Sequence, residues 1–332
     1  MSSNVIDKEQ QQQIKEIFIC AEVWLGVFAF LCPFELGLKM ALISDRLDGL
    51  VDAHFKSRKL LLGSMEIRRA DDGNGAQIFN ARSGEWQLIP QRPFRGKVMG
   101  FKRIEIGYID QTVIEFLERI RPLLGSSGTN VEMDTDDDQN RSWDIIRQNI
   151  WPLVSDNICG LLRLNSVRLG RLRRISPAIL RNCATLRSIH SYGLFPEFPA
   201  EDNAGASSRQ ALAKWLITPR GDCLPKILRC DFYQSEMEEL KGSFGNASES
   251  ANFIIKFLTD DGFVSFELKN KRTEEQLTFR RINEDYWLLV RCPIGREEDK
   301  WTNWETEAIE WECNSQWNSI EITFEDRDIG TG

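Results

Sequence analysis

Two histidines, His54 and His190, are the first candidates for acid–base or nucleophilic chemistry in this chain. They lie far apart in the sequence, and no Gly-x-Ser-x-Gly segment supplies a serine nucleophile for either of them. The sequence therefore predicts that both are ordinary surface or core histidines, and that the chain carries no catalytic residues.

The segments that come closest to phosphate and metal sites lack essential residues. Residues 73–75 (Gly-Asn-Gly) form a turn signal without the lysine of a phosphate-binding loop. The acidic run at residues 134–138 begins like a calcium loop. However, Gln139 replaces its sharp-turn glycine and Ile145 its bidentate glutamate. We predict a solvated acidic loop, no metal and no cofactor.

The most basic part of the chain is a group of five arginines: Arg168, Arg171, Arg173, Arg174 and Arg181. Forked guanidinium groups bind phosphorylated partners, but such a run is more often a solvated helix face, which is our prediction here. The formal net charge of -8 disfavours nucleic-acid binding, since that function needs a basic surface to neutralise phosphates.

The eight cysteines show no paired Cys-x-x-Cys spacing, which indicates reduced thiols in a cytoplasmic or nuclear protein. Residues 1–15 lack the pattern of a secretory signal and are predicted to be a flexible leader. The apolar run at residues 17–38 contains two glutamates and a proline. Each carboxylate costs about 2.5–3.5 kcal/mol at the bilayer centre, so we predict no membrane span.

That apolar run, extended to Leu50, carries the strongest pattern in the sequence. Its matching positions are Ile19, Glu22, Val23, Leu25, Val27, Phe28, Leu31, Pro33, Leu36, Ile43, Ser44 and Leu50. In this order they resemble an F-box, the adaptor-binding module of SCF-type cullin-RING ubiquitin ligases. The chain departs from the family at Cys20, where a proline is usual, and at Trp24, where a smaller aliphatic residue is usual.

Residues 16–57 are predicted to form a small helical domain. Pro33 and Gly37 interrupt the helical pattern. They predict a helix near residues 21–31, a turn at residues 32–33 and one or two further helices ending near Phe55. The first helix is apolar nearly all round and needs two neighbours. The resemblance implies that a Skp-type adaptor contacts Ile19, Cys20, Glu22, Val23, Trp24, Val27, Phe28, Leu31, Pro33 and Leu36.

Residues 58–250 repeat an aliphatic skeleton that is typical of leucine-rich repeats. The copies are residues 101–106, 159–164, 186–191 and 225–230, with a further strand at residues 131–133 and helices at residues 112–124, 142–154 and 207–216. A strand–helix period just under thirty residues is that of a leucine-rich-repeat solenoid, here an irregular one. A short open α/β layer is the alternative.

In a solenoid, the strand residues that alternate with the aliphatic ones line an inner face. Those residues are Arg103, Glu105, Glu132, Arg163, Asn165, His190, Tyr192, Arg229, Asp231 and Lys256. Because they mix both signs of charge, they favour recognition of a protein target. A longer loop at residues 193–208 is expected at the rim.

Residues 251–332 have a different pattern, short alternating segments joined by polar turns, which predicts a β-meander with a tryptophan-rich helix. The strands are residues 253–258, 263–268, 277–281 and 286–292, followed by a helix within residues 296–312 and a last strand at residues 320–324. Trp301, Trp304 and Trp311 lie at helical spacing, and we expect them in the core. This region resembles the C-terminal part of an expanded group of nematode-type F-box proteins.

The predicted fold class is α+β or α/β, with a helical F-box, an irregular leucine-rich-repeat-like solenoid and a terminal meander. The resemblance implies a non-catalytic substrate receptor of a ubiquitin ligase, whose partners are a Skp-type adaptor, a cullin scaffold and an unknown target protein. No nucleic acid, membrane or small-molecule substrate is expected. The alternative is an interaction scaffold whose N-terminal helices only cap the repeat domain.

Overall fold

The computed structural model describes residues 19–28, 30–31, 36, 40–56, 60–81, 84–90, 98–125, 128–258, 263–311 and 318–330. The chain divides into two compact units. The head unit comprises Met1–Arg58 with Arg95–Lys97, and the sheet unit comprises Lys59–Phe94 with Val98–Gly332.

The described part of the head unit is helical, with α1 (Ala21–Phe28), α2 (Ala41–Ile43) and α3 (Asp45–Lys56). Helices α1 and α3 contact each other, and the Phe28 ring lies 5.8 Å from the His54 ring. Phe28, Leu36 and Val51 are buried. Ser44 begins α3 as its N-cap: its backbone is extended, and its Oγ accepts a hydrogen bond of 3.2 Å from the Leu47 N–H.

The sheet unit contains the strands and the remaining helices. The strands are β1 (Leu60–Arg69), β2 (Ala76–Asn80), β3 (Glu85–Leu88), β4 (Val98–Ile106), β5 (Thr129–Met133), β6 (Ile158–Leu164), β7 (Ser188–Ser191), β8 (Lys226–Cys230), β9 (Phe253–Leu258), β10 (Phe266–Asn270), β11 (Glu275–Arg281), β12 (Tyr286–Pro293) and β13 (Ser319–Ile322). The helices are α4 (Gln111–Gly125), α5 (Asn140–Ile145), α6 (Trp151–Val154), α7 (Ser166–Arg173), α8 (Ile179–Asn182), α9 (Ser208–Ile217), α10 (Gln234–Asn246) and α11 (Glu298–Glu310). A π-helical segment, Ile146–Ile150, links α5 to α6.

The described strands form one sheet in the order β10-β11-β12-β9-β8-β7-β6-β5-β13-β4-β1-β2-β3. Strands β1, β4, β13 and β5 to β9 are parallel, whereas β2 and β3 at one edge and β10 to β12 at the other pair antiparallel. Strands β5 to β9 follow one another in chain order. The protein is therefore a mixed α/β structure with a large sheet.

The strands expected from the aliphatic skeleton are present as β4, β6, β7 and β8, and the further strand as β5. The C-terminal part is arranged differently from the prediction. Strand β13 does not extend the meander but lies between β4 and β5, parallel to both. Strand β9 belongs to the parallel part and pairs with β12, so only β10 to β12 form a meander. Residues 251–332 share one compact unit and one sheet with the middle of the chain.

The two faces of the sheet differ because side chains alternate along each strand. One face carries a laterally aligned apolar row: Met65, Ile104, Ile320, Val131, Leu161, Ile189, Leu228 and Ile255. All of these side chains are buried. On the opposite face, α11 covers one end, where Trp301 and Ala308 pack with Ile227, Ile254 and Val290. The expectation of core positions is confirmed for Trp301 and Trp311, whereas Trp304 is only partly buried.

Candidate binding surfaces

The face opposite the apolar row, called here the polar face, carries four glutamates side by side. Glu66, Glu105, Glu321 and Glu132 occupy equivalent positions on β1, β4, β13 and β5. Glu321 and Glu132 are buried, whereas Glu66 and Glu105 are half-buried. Since neighbouring strands lie about 4.8 Å apart, these side chains form a continuous glutamate row.

Arginine side chains partly neutralise the glutamate row. Arg163 Nη1 donates a hydrogen bond of 2.8 Å to Glu132, and Arg68 pairs with Glu66. Arg163 has a φ of 49°, where the β6–β7 register shifts, so a bulge in β6 accompanies the contact of this side chain with β5.

Glu105 receives less compensation than its neighbours. Arg103 lies 3.8 Å from Glu105 but makes a closer contact with Glu321, so its charge is shared between the two carboxylates. Burial, followed by the negative charge of Glu66, raises the pKa of Glu105, while Arg103 and Arg68, which are shared with Glu321 and Glu66, act in the opposite direction. The exposed part of the row is therefore short of positive charge at Glu105.

Helix α11 closes the other end of the polar face. His190, Arg229 and Lys256 are aligned on β7, β8 and β9, as the repeat pattern implies. However, the His190 ring lies 6.3 Å from the Trp311 ring, and Lys256 Nζ donates a hydrogen bond of 2.5 Å to the Ile309 carbonyl. A cation at the C-terminal end of a helix is favourable. His190 and Lys256 are thus buried beneath the tail and do not line an open surface.

The remaining predicted target contacts lie where β6, β7 and β8 end. Asn165 is the N-cap of α7 and accepts a hydrogen bond of 2.8 Å from the Arg168 N–H. Asp231 accepts one of 2.7 Å from the Gly193 N–H. Of the three residues at these strand ends, only Tyr192 is largely exposed.

Sequence reasoning missed the aromatic end of the polar face. Phe79 on β2 and Trp86 on β3 align with Glu66, and their ring centroids are 5.0 Å apart. Trp86 is 39% exposed, and Leu88 on the same face of β3 is 77% exposed. The alternation Trp-x-Leu was the available signal, but a four-residue edge strand is too short for a periodic pattern to identify.

The acidic and basic runs bind one another, so the prediction of two separate solvated segments needs correction. Arg168 pairs with Asp134, and Arg171 Nε lies 2.5 Å from Asp137. The loop after β5 and the helix after β6 meet because β5 and β6 are neighbours in the sheet. Arg173 donates instead to the carbonyl groups of the rim loop, including that of Asn203 at 2.7 Å.

Among its described residues, the head unit exposes the large apolar side chains of Val23, Val27, Phe30, Leu42 and Ile43. Among the predicted adaptor contacts, Cys20 and Glu22 are also exposed, whereas Ile19, Trp24 and Leu31 are half-buried. Phe28 and Leu36 are buried, and Pro33 lies outside the described residues. The adaptor assignment stays a prediction.

No family model matches this chain, and no curated protein or solved structure matches it either. Within the described ranges, no group of three or more His, Cys, Asp or Glu side chains is arranged to hold a metal ion. None of the helices in those ranges is long and apolar enough to cross a membrane. Burial raises the pKa of the Cys183 thiol to about 12, which makes this cysteine a poor nucleophile.

Proposed function

We propose that this protein is the substrate-recognition subunit of an SCF-type cullin-RING ubiquitin ligase. The head unit would bind a Skp-type adaptor, which links it to the cullin scaffold, and the sheet unit would bind the target. The receptor would act by raising the effective concentration of target lysines near the conjugating enzyme, with no acid, base or nucleophile of its own.

The observation that carries the proposal is the separate helical head unit with its exposed apolar side chains. Val23 and Val27 are four residues apart on α1 and therefore project from the same side of the helix. Exposed apolar side chains grouped in a small unit are typical of a protein–protein interface. Phe28, Leu36 and Val51 beneath them are buried and would shape the unit without touching a partner.

The sheet unit supplies features expected of a target-binding domain. Strands β5 to β9 are parallel and adjacent in chain order, which supports an irregular leucine-rich-repeat-like arrangement. The open part of the polar face carries both signs of charge together with exposed aromatic and aliphatic side chains, a composition suited to a protein partner.

The test is a pull-down of the purified full-length chain with a recombinant Skp-type adaptor. We expect Val23→Glu to abolish binding, because it buries a carboxylate in an apolar contact. The matched control is Val167→Glu on α7 of the sheet unit, where the valine is 48% exposed compared with 53% for Val23. Circular dichroism must show that both variants are folded. A folded wild type that does not bind, or a Val23→Glu variant that binds normally, would contradict the proposal.

The replacement of the family's usual proline by Cys20 favours a second candidate, an interaction scaffold whose head unit only caps the repeat. Terminal caps are required where a solenoid would otherwise expose its first apolar layer. Under this alternative the wild type does not bind the adaptor, and Val23→Glu lowers the thermal stability of the whole chain. The same two variants therefore distinguish the candidates.

A further inference from the structure

The open part of the polar face changes its chemistry from strand to strand. At the β3 edge lie the exposed side chains of Trp86 and Leu88, beside Phe79 on β2. Next comes Glu66 on β1, paired with Arg68, and then Glu105 on β4. From β3 to β4, the surface is therefore first apolar, then neutral at the Glu66–Arg68 ion pair, and finally short of positive charge at Glu105.

Arg68 shows that this surface can hold a positively charged group. Its guanidinium carbon lies 5.6 Å from the centre of the Phe79 ring, and the same side chain pairs with Glu66. An aromatic face and a carboxylate together stabilise a cation. Because Glu66 is already paired in this way, an incoming cation would meet Glu105, whose side chain is 31% exposed and whose partner Arg103 also binds Glu321.

The strand spacing sets the distance between the two ends of the surface. Neighbouring strands are about 4.8 Å apart, so Glu105 is about 10 Å from Phe79 and about 14 Å from Trp86 when measured across the sheet. An extended polypeptide advances about 3.3 Å per residue. Three to four residues of an extended segment therefore span the distance from the carboxylate to the aromatic pair.

We propose that this surface binds an extended segment of the target in which a lysine or arginine pairs with Glu105. A large apolar side chain three or four residues away packs on Phe79, Trp86 and Leu88. This inference specifies the target of the proposed function and rests on that function, because it requires that the protein binds a target. It places the target on the polar face between β3 and β4, away from β8, β9 and β12, which α11 covers.

The other edge of the sheet supplies a matched control. On β10, Glu267 and Lys269 form an ion pair at 3.1 Å, so the carboxylate there already has its own cation. Leu268 between them is 36% exposed. Because side chains alternate along a strand, Leu268 and Glu267 lie on opposite faces of β10, and the Glu267 carboxylate already has Lys269 as its partner.

The experiment is selection of a random twelve-residue peptide library on the full-length chain, with a Glu105→Gln/Trp86→Ala double variant selected in parallel. We expect the wild type to enrich peptides with Lys or Arg three or four residues from Leu, Ile, Phe or Trp, and the double variant not to enrich them. For an enriched peptide, Glu105→Gln should weaken binding about two- to fivefold and reduce its salt dependence. Trp86→Ala should weaken it about tenfold with the salt dependence retained.

The control Glu267→Gln/Leu268→Ala is expected to bind the enriched peptides like the wild type. Equal enrichment by the wild type and the Glu105→Gln/Trp86→Ala variant, enrichment of acidic peptides, or no enrichment would overturn the inference. Adaptor binding is measured on the same wild-type preparation. If the protein binds the adaptor but does not select the expected peptides, the inference about this surface is wrong while the proposed function stands. All the substituted residues lie in the sheet unit.

Discussion

Lys226 makes the folding stability of this protein depend on pH in an unusual range. The side chain is buried at the start of β8, and its Nζ donates hydrogen bonds to the carbonyl groups of Trp215 and Thr218. Burial, together with the nearby positive charges of Arg220 and Arg181, lowers its pKa from 10.5 to about 7. The folded protein therefore loses this proton at a lower pH than the unfolded chain does.

The direction in which the free energy of unfolding changes with pH follows from the number of protons bound by the folded and unfolded states. Between about pH 7 and pH 10.5 the unfolded chain holds a proton on Lys226 that the folded protein has released, so the free energy of unfolding rises with pH. The slope approaches about 1.4 kcal/mol per pH unit, and between pH 7.5 and 9.5 the gain is about 2–3 kcal/mol. Below pH 7 both states are protonated and this contribution no longer changes.

Urea unfolding of the wild type and of Lys226→Met across this pH range measures the effect. Methionine keeps the length and the apolar stem but cannot titrate, so the difference in unfolding free energy between the two proteins should change by about 2–3 kcal/mol. Thiols and tyrosines titrate in both proteins and cancel. Lys300→Met, at an exposed position, controls for the loss of a positive charge. Parallel curves for the wild type and Lys226→Met would refute the reasoning, since they would mean that the two carbonyl groups keep the ammonium protonated.

Two further predictions concern single contacts in the sheet unit, each measured by urea unfolding. The buried Arg291 guanidinium lies 2.6 Å from the Glu275 carboxylate. Glu275→Gln removes that carboxylate and should lower the free energy of unfolding by about 3–5 kcal/mol. A decrease below about 1 kcal/mol would mean that the pair is solvated. Gly160→Ala places a methyl group 2.2 Å from the Asn130 side-chain oxygen and should cost about 1–3 kcal/mol. Its control, Gly242→Ala, meets open space within α10 and should stabilise the protein by about 1 kcal/mol, so equal effects of the two substitutions would contradict this account.

Local patterns predicted the strands because each needs only a few consecutive residues to express its alternation. The skeleton at residues 101–106 became β4, in which Ile104 and Ile106 are buried on the apolar face, whereas Phe101 is buried on the opposite face. The same alternation identified Arg103 and Glu105 as residues of the opposite face.

What the patterns could not supply was pairing between distant segments. Ser319 aligns with Arg103 on one side and with Asn130 on the other, and no periodicity in the sequence connects those three positions. The glutamate row depends on this pairing because Glu321 completes it. The burial of His190 and Lys256 likewise depends on where α11 packs, a long-range contact that no local pattern reports.

The position of β13 also has a consequence for the synthesis of the chain. Strands β4 and β5 do not pair with each other, so until residues 319–322 have left the ribosome the growing sheet consists of two pieces with unsatisfied edges facing each other. Docking of β13 closes both edges in one step. A polypeptide terminated before that strand would retain two exposed edges in the middle of its sheet, a state prone to aggregation and to recognition by quality control. Closure of the sheet is thereby coupled to the synthesis of residues 319–322.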